Sequence, residues 1–215
     1  MSDGPRTVVL VSGDGSNLQV ILDHARHGVL GISVAGVVSD RPGIRALKRA
    51  TEAGVPAFAV DYAAAGSRSA FSTRLANVVK ELSPDLLILA GFMRILDSDL
   101  VDQYRGRMLN VHPSLLPKYP GLNTYSRALD AGDREHGATV HFVIPELDAG
   151  PGILQYRVPI CPGDTEALLR DRVREGEHQI YPRAIAWLAA GRAVLQDGSV
   201  WLDGTRLDRP VVVDE

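Results

Sequence analysis

The sequence predicts an α/β protein: a Rossmann-like open sheet, parallel in its N-terminal half and mixed in its C-terminal half, with helices on both faces. Three observations predict it. Continuous apolar runs, the mark of strands buried on both sides, recur through the first half of the chain. Stretches with apolar residues at helical spacing lie between them, and strand–helix alternation of that kind builds a right-handed parallel sheet. In the second half, two strand-like runs are joined by a connection short enough for an antiparallel pair.

Taken in order, "TVVLVSG" (7–13) is the first buried strand. In "SNLQVILDHARHG", Leu18, Ile21, Leu22 and Ala25 recur at helical spacing; Ser16 and Gln19 have capping-box spacing, and Gly28 suits the C-terminal cap. "SVAGVVS" (33–39) is the second strand, "GIRALKRATEAG" a second helix ended by Gly54, and "PAFAVD" a short third strand. The third helix, "SRSAFSTRLANVVKELSP", turns Phe71, Leu75, Val78, Val79 and Leu82 inward and stops at Pro84. "DLLILAG" (85–91) is the fourth buried strand and "GRMLNVH" the fifth. "SRALDAG" is a short helix, and "ATVHFVI" and "GILQYRVPI" are the antiparallel pair. A long helix runs from about Asp164 to Ala190 with Pro182 inside it, and two Asp-Gly turns make the tail "AVLQDGSVWLDGTRL" hairpin-like.

The bulk numbers exclude several function classes. At 215 residues, 45% hydrophobic and 23% charged, the chain is an ordinary soluble globule, read as a single domain over 1–215. A net charge of -3 without a basic run gives no footprint for nucleic acid. One cysteine, Cys161, excludes an internal disulfide and a cysteine-based zinc site; before Pro162 it reads as a small buried apolar residue. No signal peptide or membrane-length apolar stretch is evident, so a cytoplasmic protein is expected, with small-molecule partners, no membrane and a homodimer left open.

Three places can carry chemistry. The loop "SGDGSN" (12–17) joins a strand to a helix whose first N–H groups can face an anion. A single phosphate fits better than a pyrophosphate, because Leu18 stands where the dinucleotide fingerprint needs a small residue; Asp40, ending the second strand, keeps the dinucleotide alternative open. Beyond the fourth strand, where open sheets bind ligands, Phe92, Met93, Ile95 and Leu96 can line an apolar slot or simply cover the sheet edge. On the fifth strand Asn110 and His112 lie two apart and share a face. An amide and an imidazolium can donate to one developing oxyanion, and Pro113 and Pro117 stiffen the chain behind them. Asp148, in the "ELDAG" connection, supplies a carboxylate that would favour the charged ring and fix its tautomer. His24 and His27 read as a solvated helix face, and His136 and His141 show no metal spacing.

With these residues together, the chain resembles the folate-dependent phosphoribosylglycinamide formyltransferase family of purine synthesis, from about Val8 to Leu207. The resemblance rests on "SGDGSNLQ", "LAGFMRIL", "NVHPSLLPKYPG", "HGATVHFVIPELDAGPGILQ" and "EHQIYP", in that order. It implies that residues 7–91 form a phosphate-binding half and 92–207 a folate-binding and catalytic half. It implies that Gly15, Ser16, Asn17, Leu18 and Gln19 hold the phosphoribosyl group, with Glu177 on the glycinamide side. Arg68 and the segment Met93, Arg94, Ile95 and Leu96 would contact 10-formyltetrahydrofolate, joined by Asn110. Asn110, His112 and Asp148 would be the catalytic set, and no metal is needed because the folate carries the activated carbon. The methionyl-tRNA formylating enzyme and the formyltetrahydrofolate hydrolase are similar around "HPSLLP" but are expected to carry further domains. Two departures stand out. Asp14 replaces a familiar Asn, Ser or Thr, setting a negative charge beside the expected phosphate, and Asn123-Thr124 stands where His-Thr or His-Ala is usual.

Overall fold

The computed structural model describes residues 4–215, which fall into two compact units, one ending at Leu109 and the other beginning at Asn110. The class is the predicted one: parallel strands in the N-terminal half, antiparallel pairing in the C-terminal half, with helices around them.

In the first unit, β1 (Arg6–Val11), β2 (Ser33–Ser39), β3 (Ala57–Ala59) and β4 (Leu86–Leu89) lie in the order β4-β1-β2-β3, every pair parallel. Val8, Val9, Leu10 and Val11 are wholly buried, so β1 forms the centre of this core. The connecting helices are α1 (Ser16–Arg26), α2 (Arg45–Glu52) and α3 (Arg68–Leu82), the last capped by Ser67 through the Ala70 N–H. A further helix, α4 (Ser98–Gln103), went unread in the sequence. Its signal was Asp97, whose carboxylate caps the Asp99 N–H, ahead of the buried pair Leu100 and Val101.

The second unit holds most of β5 (Met108–His112), followed by α5 (Thr124–Asp130), β6 (Glu135–Phe142), β7 (Gly152–Pro159) and α6 (Glu166–Ala189). β6 and β7 pair antiparallel as expected, and Pro182 lies buried within α6. The tail forms a three-stranded antiparallel sheet of β8 (Ala193–Gln196), β9 (Ser199–Leu202) and β10 (Thr205–Arg206), more than the single hairpin predicted. Asp197-Gly198 and Asp203-Gly204 all have positive φ, as a two-residue hairpin turn requires. A last strand, β11 (Val211–Asp214), adds parallel to β7 and was also unread. Cys161 corrects another expectation: it is exposed, because it sits in the turn after β7, where Asp164 accepts from its N–H. Among the described residues no helix is long and apolar enough to cross a membrane.

Candidate active site

The loop after β1 departs from the expected helix start. The N-cap is Gly15, at φ 79, and no side chain caps α1, so the Ser16–Gln19 capping box does not form. Gln19 is engaged elsewhere: its amide donates to Asp23 and its carbonyl accepts from Arg49. Only glycine fits at position 15, where a Cβ would stand 2.8 Å from that of Ala46 in α2. Leu18 is fully buried, so of the five expected phosphate-site residues it can offer only its backbone.

Asp40 answers the dinucleotide alternative. Its buried carboxylate accepts from Arg94 Nε at 2.7 Å, with Arg41 also near at 3.6 Å. The Arg94 guanidinium lies over the Tyr62 ring, 4.0 Å from its centroid. With its side chain 0% exposed, Asp40 presents no acceptor at the surface to a ribose. The loop beyond β4 is anchored again where Ser12 Oγ accepts from the Met93 N–H at 2.8 Å. Phe92 belongs to the core, whereas Met93 and Ile95 are 58% and 52% exposed. Two large apolar side chains therefore stand out from a pinned loop and do not cover the sheet edge. Arg68, in the first turn of α3, is exposed.

In the second unit the structure brings Asn110, His112 and Asp148 together and adds His141, which sequence reasoning set aside. His112 Nε2 donates to the Tyr119 carbonyl at 2.9 Å, and its Nδ1 stands 3.4 Å from Asp148 Oδ2. Both neighbours present acceptor oxygens to the ring, the carbonyl at hydrogen-bond distance and the carboxylate at a longer one. Asp148 has φ 53 and accepts from the Gly121 N–H at 2.8 Å, which ties the "ELDAG" turn to the "YPGL" loop. Its Oδ1 is 3.9 Å from His141 Nε2.

His141 fixes the amide. Burial holds its pKa below the ordinary value, although the Phe142 carbonyl works the other way, so the ring is neutral. Nδ1 donates to that carbonyl at 2.9 Å, which leaves Nε2 as an acceptor for Asn110 Nδ2 at 3.2 Å. One amide hydrogen of Asn110 is thereby committed and the other remains available to a ligand. The available signal for His141 was its position at the end of the strand preceding "ELDAG", not a metal spacing. Among the described residues no group of three His, Cys, Asp or Glu side chains is placed to hold a metal ion.

More than proline holds the chain after β5. Thr139 Oγ1 donates to the Ser114 carbonyl and accepts from the Leu116 N–H, while Gln155 donates to the Leu116 carbonyl and Ser114 Oγ to that of Lys118. Leu116-Pro117 is cis. Asn123, the departure from the usual His, stands at the N-cap position of α5 with φ 57 and no side-chain capping bond, a left-handed position that asparagine adopts more readily than most residues. Glu177 is buried on α6, and its charge acts on Tyr125; burial first, then that charge, raises the Tyr125 pKa, so the phenol stays protonated.

Comparison with known proteins follows the same lines. The formyl transferase family pattern matches residues 5–185. Phosphoribosylglycinamide formyltransferase of Escherichia coli (strain K12) is 48% identical over 200 residues, 93% of this chain and 94% of that protein. The Haemophilus influenzae protein of the same name is 41% identical over 210 residues, covering 98% and 99%. Among solved structures, phosphoribosylglycinamide formyltransferase from Coxiella burnetii superposes with a TM-score of 0.91 at 44% identity, over 97% of this chain and all of that one.

Proposed function

Because this chain belongs to the formyl transferase family, we propose that it transfers the formyl group of 10-formyltetrahydrofolate to the amine of N1-(5-phospho-D-ribosyl)glycinamide. The products are the N-formyl ribonucleotide and tetrahydrofolate, a step of purine (IMP) synthesis. The observation that carries this reading onto the chain's own residues is His112 set between a carbonyl and a carboxylate, beside an amide with one hydrogen available.

The residue roles follow from that arrangement. As the substrate amine attacks the formyl carbon, a C–N bond forms and the carbonyl oxygen becomes an oxyanion. Asn110 and protonated His112 donate to it. Since Nε2 is occupied by the Tyr119 carbonyl, the donor is Nδ1–H, whose 3.4 Å separation from Asp148 is long for a hydrogen bond. Asp148 sets its negative charge beside the ring and orders a water that carries the amine proton to the departing folate nitrogen as its bond to the formyl carbon breaks. Met93, Arg94, Ile95 and Leu96, with Arg68, take the folate, and Asn110 touches its formyl end. The α1 start, Gly15 to Gln19, takes the phosphate, Leu18 through its backbone only, and Glu177 serves the glycinamide side. Residues 7–91 and 92–207 would then be the phosphate-binding half and the folate-binding and catalytic half of one functional domain.

The test mixes enzyme, glycinamide ribonucleotide and 10-formyltetrahydrofolate and follows deformylated folate. Release should require the ribonucleotide. Equal release into water alone would make the protein a hydrolase.

A further inference from the structure

The phosphate loop carries a charge of the wrong sign. Asp14 adjoins Gly15, at the mouth of the helix start assigned above to a phosphate, where a carboxylate would repel the ligand. The structure supplies two counter-charges from α2. Arg45 Nη1 donates to Asp14 Oδ1 at 3.2 Å, and Arg49 Nη2 donates to Oδ2 at 3.0 Å. Arg49 does more. Its Nε donates to the Asp14 main-chain carbonyl at 2.9 Å and its Nη1 to Gln19 Oε1 at 3.0 Å. One planar guanidinium therefore spans both ends of the Gly15–Gln19 stretch, a reach that arginine's rigid fork allows and lysine's single ammonium does not. The Arg49 side chain is 17% exposed against 68% for Arg45, so it is the less solvated of the two. Partial burial works to raise the Asp14 pKa, but the hydrogen bonds and charges of Arg49 and Arg45 outweigh it and hold the carboxyl below its usual range.

We propose that Arg49, seconded by Arg45, determines affinity for the phosphate monoester of the ribonucleotide by cancelling the charge of Asp14. This rests on the function proposed above and deepens it. Arg45 and Arg49 are positioning residues here: they act through Asp14. Because Asp14 is 56% exposed, solvent screens both pairs and they contribute little to stability. Their effect is on the field that an arriving dianion meets.

The experiment is a mutant cycle on Arg49 and Asp14, with KM for the ribonucleotide and for the folate measured separately. Arg49→Met should raise the ribonucleotide KM about tenfold and leave kcat and the folate KM within about twofold. Adding Asp14→Asn should bring the ribonucleotide KM back to within about threefold of the parent, because no charge is left to cancel. Asp14→Asn alone should lower that KM, and this arm decides the matter should Arg49→Met fail to fold. A double variant as weak as Arg49→Met would show a purely structural brace and overturn the proposal. So would an unchanged KM in Arg49→Met, or a raised one in Asp14→Asn. A parent enzyme that never formylates the ribonucleotide would overturn the proposed function as well, which separates the two failures.

Discussion

Replacing Asp148 by asparagine removes one charge from the active site and little else. The substitution suits the backbone, since asparagine is enriched at positive φ and the residue sits at φ 53. Its side-chain oxygen can still accept from the Gly121 N–H. What goes is the attraction between the carboxylate and the His112 ring, 3.4 Å apart. At that separation Coulomb's law gives about 1 kcal/mol in a water-like medium and about 5 kcal/mol at an effective dielectric constant of about 20. Both side chains are less than a tenth exposed, and the amide keeps part of the interaction as a dipole. A loss of about 3 kcal/mol follows, or roughly a hundredfold in kcat. The assay is deformylated folate at saturating levels of both substrates, with thermal unfolding run alongside. The KM values should hardly move, and the melting temperature should stay within a few degrees. A folded Asp148→Asn variant whose kcat lies within about threefold of the parent would refute the reasoning. In combination with His112→Ala, Asp148→Asn should add little further loss, because the carboxylate works through the ring. Full additivity would give Asp148 a separate task.

Three other outcomes follow. Ile95→Asp puts a charge on a side chain that is 52% exposed, so the fold should survive while affinity for a folate analogue drops at least about tenfold; unchanged affinity by titration calorimetry would remove this segment from the site. Gly15→Ala should destabilise the first unit by about 1–3 kcal/mol in urea denaturation, since the new Cβ meets Ala46 at 2.8 Å and the backbone stands at φ 79; an unaltered midpoint would refute that packing. His136 is buried on β6, and desolvation pushes its pKa down to about 4. The unfolded chain then takes up the proton first, so this stabilisation is complete above about pH 6.5 and is lost as the pH falls toward 4, by at most about 3 kcal/mol. Burial also lowers His141 and His178, which act in the same direction. His136→Gln should flatten, without abolishing, the fall in stability between pH 7 and pH 5, and an identical slope in parent and variant would dismiss the assignment.

What the sequence disclosed follows from the range of the interactions involved. Periodic burial is local, so the core strands of the first unit and the β6–β7 pair were legible from apolar runs and turn residues. The α4 helix is a single short element, announced mainly by its Asp97 cap, and β11 is amenable to detection only through the partner that pairs with it. The same distinction holds at the candidate site. Asn110 and His112 share a strand face within two residues, and their chemistry was readable. His141 lies 31 positions from Asn110, and its meaning comes from a ring nitrogen that the Phe142 carbonyl turns into an acceptor. The charge on Asp14 could be noticed in the sequence, but its cancellation depends on arginines 31 and 35 residues further on.

The carbonyl that holds His112 belongs to the main chain of Tyr119, a residue at φ 55. Substitution at position 119 changes the side chain and leaves that oxygen in the polypeptide. The two nitrogens of the same ring therefore differ in heritable vulnerability. A single base change can delete the partner of Nδ1, whereas removing the partner of Nε2 takes a shift in the path of the loop itself. Insertions and deletions between Pro117 and Gly121, more than point mutations, are where a lineage could lose this half of the site.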